Sequence, residues 1–84
     1  MHYIIGDIGN TSTRICILND KSKILKSVIF DTKKIYLKSY VKNIFKKLYK
    51  KNIRREVLFS CVVPTALKKI KDVLKKTNYK ILEI

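Results

Sequence analysis

The sequence predicts an α/β domain: a mixed five-stranded sheet of order 3-2-1-4-5 with two helices. Three observations carry that prediction. Apolar runs at 2–8, 12–18, 23–31, 56–63 and 79–84 have strand length and are bounded by turn residues or polar stretches. Between them, residues 34–51 and 64–76 switch to apolar positions recurring at three and four, the period of an amphipathic helix. The resulting order, three strands and then helix, strand, helix, strand, gives an antiparallel meander followed by two crossovers. Right-handed crossovers that run in one direction across the sheet place both helices on the same face.

Each element has a local reason. HYIIGDI at 2–8 is the first strand, and Gly9-Asn10 follows as a hairpin signal because both residues tolerate positive φ. STRICIL at 12–18 returns, NDKS at 19–22 turns again, and KILKSVIFD at 23–31 is the third strand. From Lys34 to Lys51, Leu37, Val41, Ile44, Phe45 and Leu48 form an apolar stripe, with Lys38, Lys42, Lys46, Lys47 and Lys50 opposite. EVLFSCVV at 56–63 is rich in β-formers and stops at Pro64, the only proline, which suits a first helical turn. That helix runs through Leu67, Ile70, Val73 and Leu74 to about Lys76, and YKILEI, from Tyr79 to Ile84, is the last strand.

Composition narrows the classes. At 84 residues the chain is at most one small domain, and an apolar share of 46% excludes disorder. Net charge is +14, from 20 Lys plus Arg against 6 acids, which would favour a polyanionic partner if it were clustered. The cations are mostly lysine and are spread along the chain, so they read as a solvated surface and nucleic acid is not the expected partner. Cys16 and Cys61 lie in apolar runs without a CxxC spacing, as reduced buried thiols of a cytosolic protein do. His2 has no partner at metal-ligand spacing. No signal peptide and no apolar stretch of about 20 residues is visible, so no membrane association is expected.

The chemistry concentrates in GDIGNTSTR, residues 6–14, which holds both glycines of the chain. Gly9 lets a ligand approach the backbone, and N–H groups of the turn can face phosphate oxygens. Thr11, Ser12 and Thr13 add hydroxyl donors and Arg14 adds a charge. Asp7, at the strand end, is a hard oxygen ligand able to hold Mg²⁺ directly or through water. Phosphoryl transfer needs chiefly positioned phosphates, a metal and charge neutralisation. The residues alone leave an ordinary β-hairpin with a polar turn as an equal reading.

GDIGNTSTRICIL resembles the first phosphate motif of type III pantothenate kinases, D-x-G-N-T, and the strand after it. LFSCVVPTALKKIKDVL, residues 58–74, resembles that family's S-x-V-P strand-to-helix junction. The order of elements is similar to the first half of an actin-like (ribonuclease H-like) nucleotide-binding domain. The resemblance implies that residues 1–84 are the N-terminal part of an actin-like ATPase or kinase domain, and an incomplete one. It implies ATP-dependent phosphorylation of pantothenate to 4'-phosphopantothenate in coenzyme A synthesis, with Mg²⁺ and a monovalent cation (K⁺ or NH₄⁺), by a cytoplasmic homodimer. Carried onto this sequence, it makes Asp7, Ile8, Gly9, Asn10, Thr11, Ser12, Thr13 and Arg14 the ATP-phosphate loop and Asp7 the metal-linked acid.

Two departures accompany the resemblance. Gly6 stands where the family has a bulkier apolar residue and is expected to loosen the first strand. The family's G-A-D-R segment, with the catalytic aspartate, and its D-x-G-T motif do not occur in these residues. No catalytic residue is therefore assigned here: the general base is expected beyond Ile84, and the 84 residues alone are expected to be inactive. The strands point the same way. Tyr3/Ile5 against Ile4/Ile8, Cys16/Leu18 against Ile15/Ile17, and Leu58 against Val57/Phe59 place apolar groups on both faces. Two helices on one face cannot cover both. Two other functions remain open: a non-catalytic nucleotide-binding relative, and a small basic nucleic-acid-binding module using the helix at 34–51.

Overall fold

The computed structural model describes residues 1–84. Its sheet is centred on β1 (His2–Ile8), flanked by β2 (Ser12–Leu18) and β4 (Ile53–Cys61), with β3 (Ile24–Asp31) and β5 (Lys80–Glu83) at the edges. The order is β3-β2-β1-β4-β5, as the connection rules require. β1, β2 and β3 pair antiparallel, whereas β4 and β5 join parallel to the strand before them in the sheet. α1 (Lys38–Leu48) and α2 (Pro64–Val73) make the two crossovers.

Alternation along the strands divides the sheet into two faces. Ile4 and Ile8, Ile15 and Ile17, and Val57 and Phe59 turn towards the helices and are fully buried. They meet Val41, Ile44, Phe45 and Leu48 of α1 and Ala66, Leu67, Ile70 and Val73 of α2 in one core. Both helices therefore lie on one face.

Gly6 is part of this core. It is the register partner of Phe59, and a Cβ built on Gly6 would stand 2.1 Å from a Phe59 ring carbon. The ring occupies the space that a side chain would fill. The expectation that Gly6 loosens the strand is thus corrected: the glycine is the complement of a fully buried aromatic.

The stretch read as one helix from 34 to 51 divides in two. Thr32–Tyr36 is a 3-10 turn, capped by the Asp31 carboxylate, which accepts from the Lys33 N–H at 3.0 Å. Leu37 is extended (φ −92°, ψ 102°), and α1 begins only at Lys38. Ile35 and Val41 explain the break, since both are fully buried. Six residues apart on one helix they would point about 120° away from each other. The break aims both inward and leaves Leu37, assigned to the apolar stripe, 57% exposed.

β4 starts at Ile53, three residues before its apolar run. Asn52 reverses the chain at φ 63° and delivers Ile53 onto His2. Arg54 and Arg55 disguise this start, yet each guanidinium lies over a tyrosine ring, Arg54 over Tyr3 and Arg55 over Tyr79. β4 ends at Cys61, and Val63 is the cap residue before Pro64 at the start of α2. α2 closes at Val73, short of Lys76, with Leu74 as its cap.

The last strand is shorter at both ends than its apolar pattern. Tyr79 and Ile84, read as its first and last residues, flank Lys80–Glu83. The Ile84 N–H still donates to the Phe59 carbonyl at 2.9 Å, but β4 supplies no further partner beyond that bond. The Ile84 side chain is 81% exposed, so its apolar character is not used in the core.

No helix lies on the other face. Register partners Ser27, Cys16, Ile5, Leu58 and Leu82 form one row across it. Leu58 in this row is 42% exposed and Ile29, one row on, 59%. Cys16 and Cys61 are free thiols, Cys16 buried and Cys61 half-buried.

The fit of Gly6 against Phe59 has a measurable consequence. Gly6→Val should lower unfolding free energy by about 1–3 kcal/mol, the usual range for overpacking a core. Denaturant titration reads this as a lower midpoint, and adding Phe59→Leu should recover part of the loss. An unchanged midpoint for Gly6→Val would show that the ring has room to move.

Candidate phosphate-binding site

The short connection from β1 to β2, residues 9–11, is held from outside by Thr32. The Thr32 hydroxyl donates to the Gly9 carbonyl at 2.8 Å, and its N–H donates to the Thr11 carbonyl at 2.9 Å. The Thr32 and Thr13 hydroxyls are also bonded, at 2.8 Å. A hydroxyl has one proton. Since Thr32 gives its proton to Gly9, Thr13 is the donor to Thr32.

Positive φ is used at neither Gly9 nor Asn10, which corrects the reason given for this turn. Gly9 is there for close approach: its N–H donates to the Ser12 carbonyl at 3.0 Å, and a Cβ would stand 3.0 Å from that same oxygen. The N–H groups of Asn10 and Thr11, by contrast, have no acceptor within the chain.

Asp7 ends the central strand on the open face. Its register partners are Arg14 on β2 and Ser60 on β4. The Ser60 hydroxyl donates to Asp7 Oδ1 at 2.8 Å and aims the carboxylate. Asp7, Ser12, Arg14 and Ile29 line a cleft of about 370 Å³. Asp7 and Arg14 make no ion pair across it, because the one salt bridge in the chain is Arg54–Glu56. That exposed pair lies elsewhere, and the Arg54 hydrogen bond holds the Glu56 carboxyl below its usual range.

The predicted site residues separate into two groups. Asp7, Ser12 and Arg14 line the cleft, Asn10 and Thr11 are exposed on the adjoining turn, and Gly9 supplies the tight backbone. Ile8 and Thr13 point into the core, 0% and 1% exposed, so their side chains support the loop from beneath. Sequence reasoning missed Ser60 and Thr32 as positioning residues. Ser60 was signalled, since it opens the S-C-V-V-P string at the strand-to-helix junction; Thr32, at the head of a lysine-rich stretch, carried no signal.

An acid, a guanidinium and a hydroxyl lining one cleft, beside a turn with two N–H groups that have no acceptor in the chain, suit phosphate oxygens and a hard cation. No group of three or more His, Cys, Asp or Glu side chains converges in the chain. Mg²⁺ fits such a place, because it is commonly held by one or two carboxylates together with water and substrate phosphates.

The family model for type III pantothenate kinases matches residues 3–84. The chain belongs to the type III pantothenate kinase family. The type III pantothenate kinase of Pelagibacter ubique (strain HTCC1062) is 44% identical over 78 residues, which cover 93% of this chain and 31% of that protein. The chain thus spans about a third of that relative's length. Among solved structures, the PPX-GPPA enzyme of Aquifex aeolicus aligns with the whole chain and 36% of its own, at TM-score 0.55 and 16% identity. Another Aquifex aeolicus member of the Ppx/GppA family aligns at TM-score 0.51 and 13% identity, over 35% of its chain. These two likenesses carry the fold alone. They agree with the sheet order in placing this chain in the actin-like fold.

Removing the tether tests how the loop is held. Thr32→Val leaves the Gly9 carbonyl and the Thr13 hydroxyl without their partner and should cost about 1–3 kcal/mol of stability. Thr32→Ser should restore most of it. Amide exchange at Gly9, whose N–H is bonded across the turn to the Ser12 carbonyl, should rise in the valine variant; unchanged stability would place the loop's support elsewhere.

Proposed function

We propose that these residues are the ATP-phosphate-binding part of a type III pantothenate kinase, which transfers the γ-phosphoryl group of ATP to pantothenate, giving 4'-phosphopantothenate for coenzyme A synthesis. Family membership supports the activity. The observation that carries the site is Asp7 and Arg14 facing one cleft without pairing, beside the unsatisfied N–H groups of Asn10 and Thr11. Opposite charges left apart are available to a ligand that carries both phosphate and metal.

In this reading the Asn10 and Thr11 N–H groups and the Thr11 and Ser12 hydroxyls donate to phosphate oxygens, and Arg14 offsets their charge. Asp7 holds Mg²⁺ directly or through water, with Ser60 fixing the carboxylate's orientation. When bound, Mg²⁺ neutralises phosphate charge as the bond to the leaving group breaks. Ile8 and Thr13 act through the backbone that they anchor. The base that accepts the pantothenate hydroxyl proton belongs, in this reading, to the part of the enzyme beyond Ile84. No residue here is assigned as ligand to the K⁺ or NH₄⁺ that the family resemblance implies. The 84 residues by themselves should bind nucleotide phosphate without turnover.

The uncovered row on the sheet supports reading residues 1–84 as the N-terminal part of a larger actin-like kinase domain. The complete enzyme is proposed to be a cytoplasmic homodimer; no helix here is long and apolar enough to cross a membrane.

In a longer protein that contains these residues, Asp7→Asn should lower kcat at least about tenfold while changing ATP affinity less, since the charge is needed most as the phosphoryl group moves. Steady-state kinetics with a separate ATP-binding measurement make the comparison, and an unchanged kcat removes Asp7 from the mechanism. The isolated 84 residues should bind the dye ANS on the open face, and Leu58→Lys should reduce that binding. Equal dye binding by both proteins would mean that the dye does not sit on the open face.

A further inference from the structure

The largest concavity of the molecule is not the phosphate cleft. A groove of about 530 Å³ is bounded by α1, the turn after α2, Tyr79 just before β5 and Arg55 near the start of β4. Arg55 lines it, and Asp7's partner Ser60 lies five residues further along β4, about 16 Å away. The two sites share no residue.

The groove has an apolar floor and a basic rim. Phe45 and Leu74 are buried beneath it, and Tyr79 meets Phe45 edge to face with ring centres 5.1 Å apart. Lys42 and Lys46 stand one helical turn apart on α1 above this floor. The Arg55 guanidinium lies 5.0 Å from the centre of the Tyr79 ring and 5.7 Å from that of Tyr49. All three charged groups around the groove are cations, and none has a carboxylate partner. Burial pushes the Tyr79 phenol above its usual pKa although Arg55 pulls it down, so near neutral pH the phenol does not offset the guanidinium.

One cation has a local explanation. Lys46 lies in the last turn of α1, where positive charge is favoured without any ligand. Lys42 is mid-helix and Arg55 is on a strand. Their convergence with Lys46 over aromatic carbon is a property of the tertiary fold. The volume is that of a site for one small molecule rather than for a polymer.

We infer that this groove binds a small organic anion, with a flat apolar body on Phe45, Leu74 and Tyr79 and a single phosphate, sulfonate or carboxylate group on Arg55, Lys42 and Lys46. Such a ligand meets both halves of the groove, whereas inorganic phosphate meets only the rim. The inference does not depend on the kinase reading.

The probe is 2-naphthyl phosphate, titrated into isotopically labelled protein and followed by amide shifts, with inorganic phosphate and 2-naphthol as its separate halves. The whole probe should bind at least about tenfold more tightly than either half, with shifts concentrated at residues 42–49, 55 and 74–79. Lys42→Glu with Lys46→Glu, both at exposed helix positions, should weaken binding about tenfold or more while the spectrum shows the fold retained. Arg55→Gln should weaken it comparably. Shifts confined to residues 7–14 or to the open sheet face would overturn the inference, as would affinity indifferent to the double charge reversal. A short oligo(dT) strand binding more tightly than naphthyl phosphate at physiological salt would overturn it too, and would make the groove part of a single-stranded nucleic-acid track.

Discussion

The parallel pairing of β1 with β4 is the constraint on which the rest of the structure depends, and it is set by a glycine facing a phenylalanine. Only with no side chain at Gly6 can the Phe59 ring lie across the central strand. That contact fixes which residues stand side by side, and the next pair in register is Asp7 with Ser60. A slip of one residue would turn every side chain of β4 to the other face. Ser60 would then leave Asp7, and the Phe59 ring would leave the core. The same pairing that fills the interior therefore aims the acid at the end of the strand.

The faces of the sheet divide the work. On the helical side, alternate residues of β1, β2 and β4 close one core with α1 and α2. On the other side, one row carries Cys16, Ile5, Leu58 and Leu82, and the next carries Ile29, Arg14, Asp7 and Ser60. Apolar and chemical rows are thus neighbours on one surface. The candidate phosphate loop sits where the second row meets the β1–β2 turn, and Thr32, from beyond β3, ties that turn to the sheet. Charge is arranged by the same topology. Lysines of the two crossover helices are collected on the outer side of the helical layer, because both crossovers pass over one face.

The candidate phosphate loop was legible because its residues are contiguous: Asp7 through Arg14 are eight successive residues on a strand, a turn and a strand. Local pattern also sufficed for the strands, whose apolar runs and turn residues lie close together. It misled at 34–51, where Leu37 fits the helical period as well as Val41 does. The choice between them belongs to Ile35, which needs the same core from a different phase. It misled again at the start of β4, because arginine reads as solvent-facing until tyrosines from other elements are brought over it.

By itself the sequence determined the fold class, the sheet order and the family and singled out one candidate loop, since each rests on periodicity, handedness or a string of adjacent residues. Only the tertiary structure decided why Gly6 is a glycine, which hydroxyls are exposed and which are spent inside, and that Ser60 and Thr32 hold Asp7 and the β1–β2 turn. It also decided that Lys42, Lys46, Arg55 and Tyr79 share one groove. The physical reason is common to all of these: each is a contact between residues far apart in the chain, and hydrogen-bond partners or ring-to-backbone clearances exist only once the sheet has set its register.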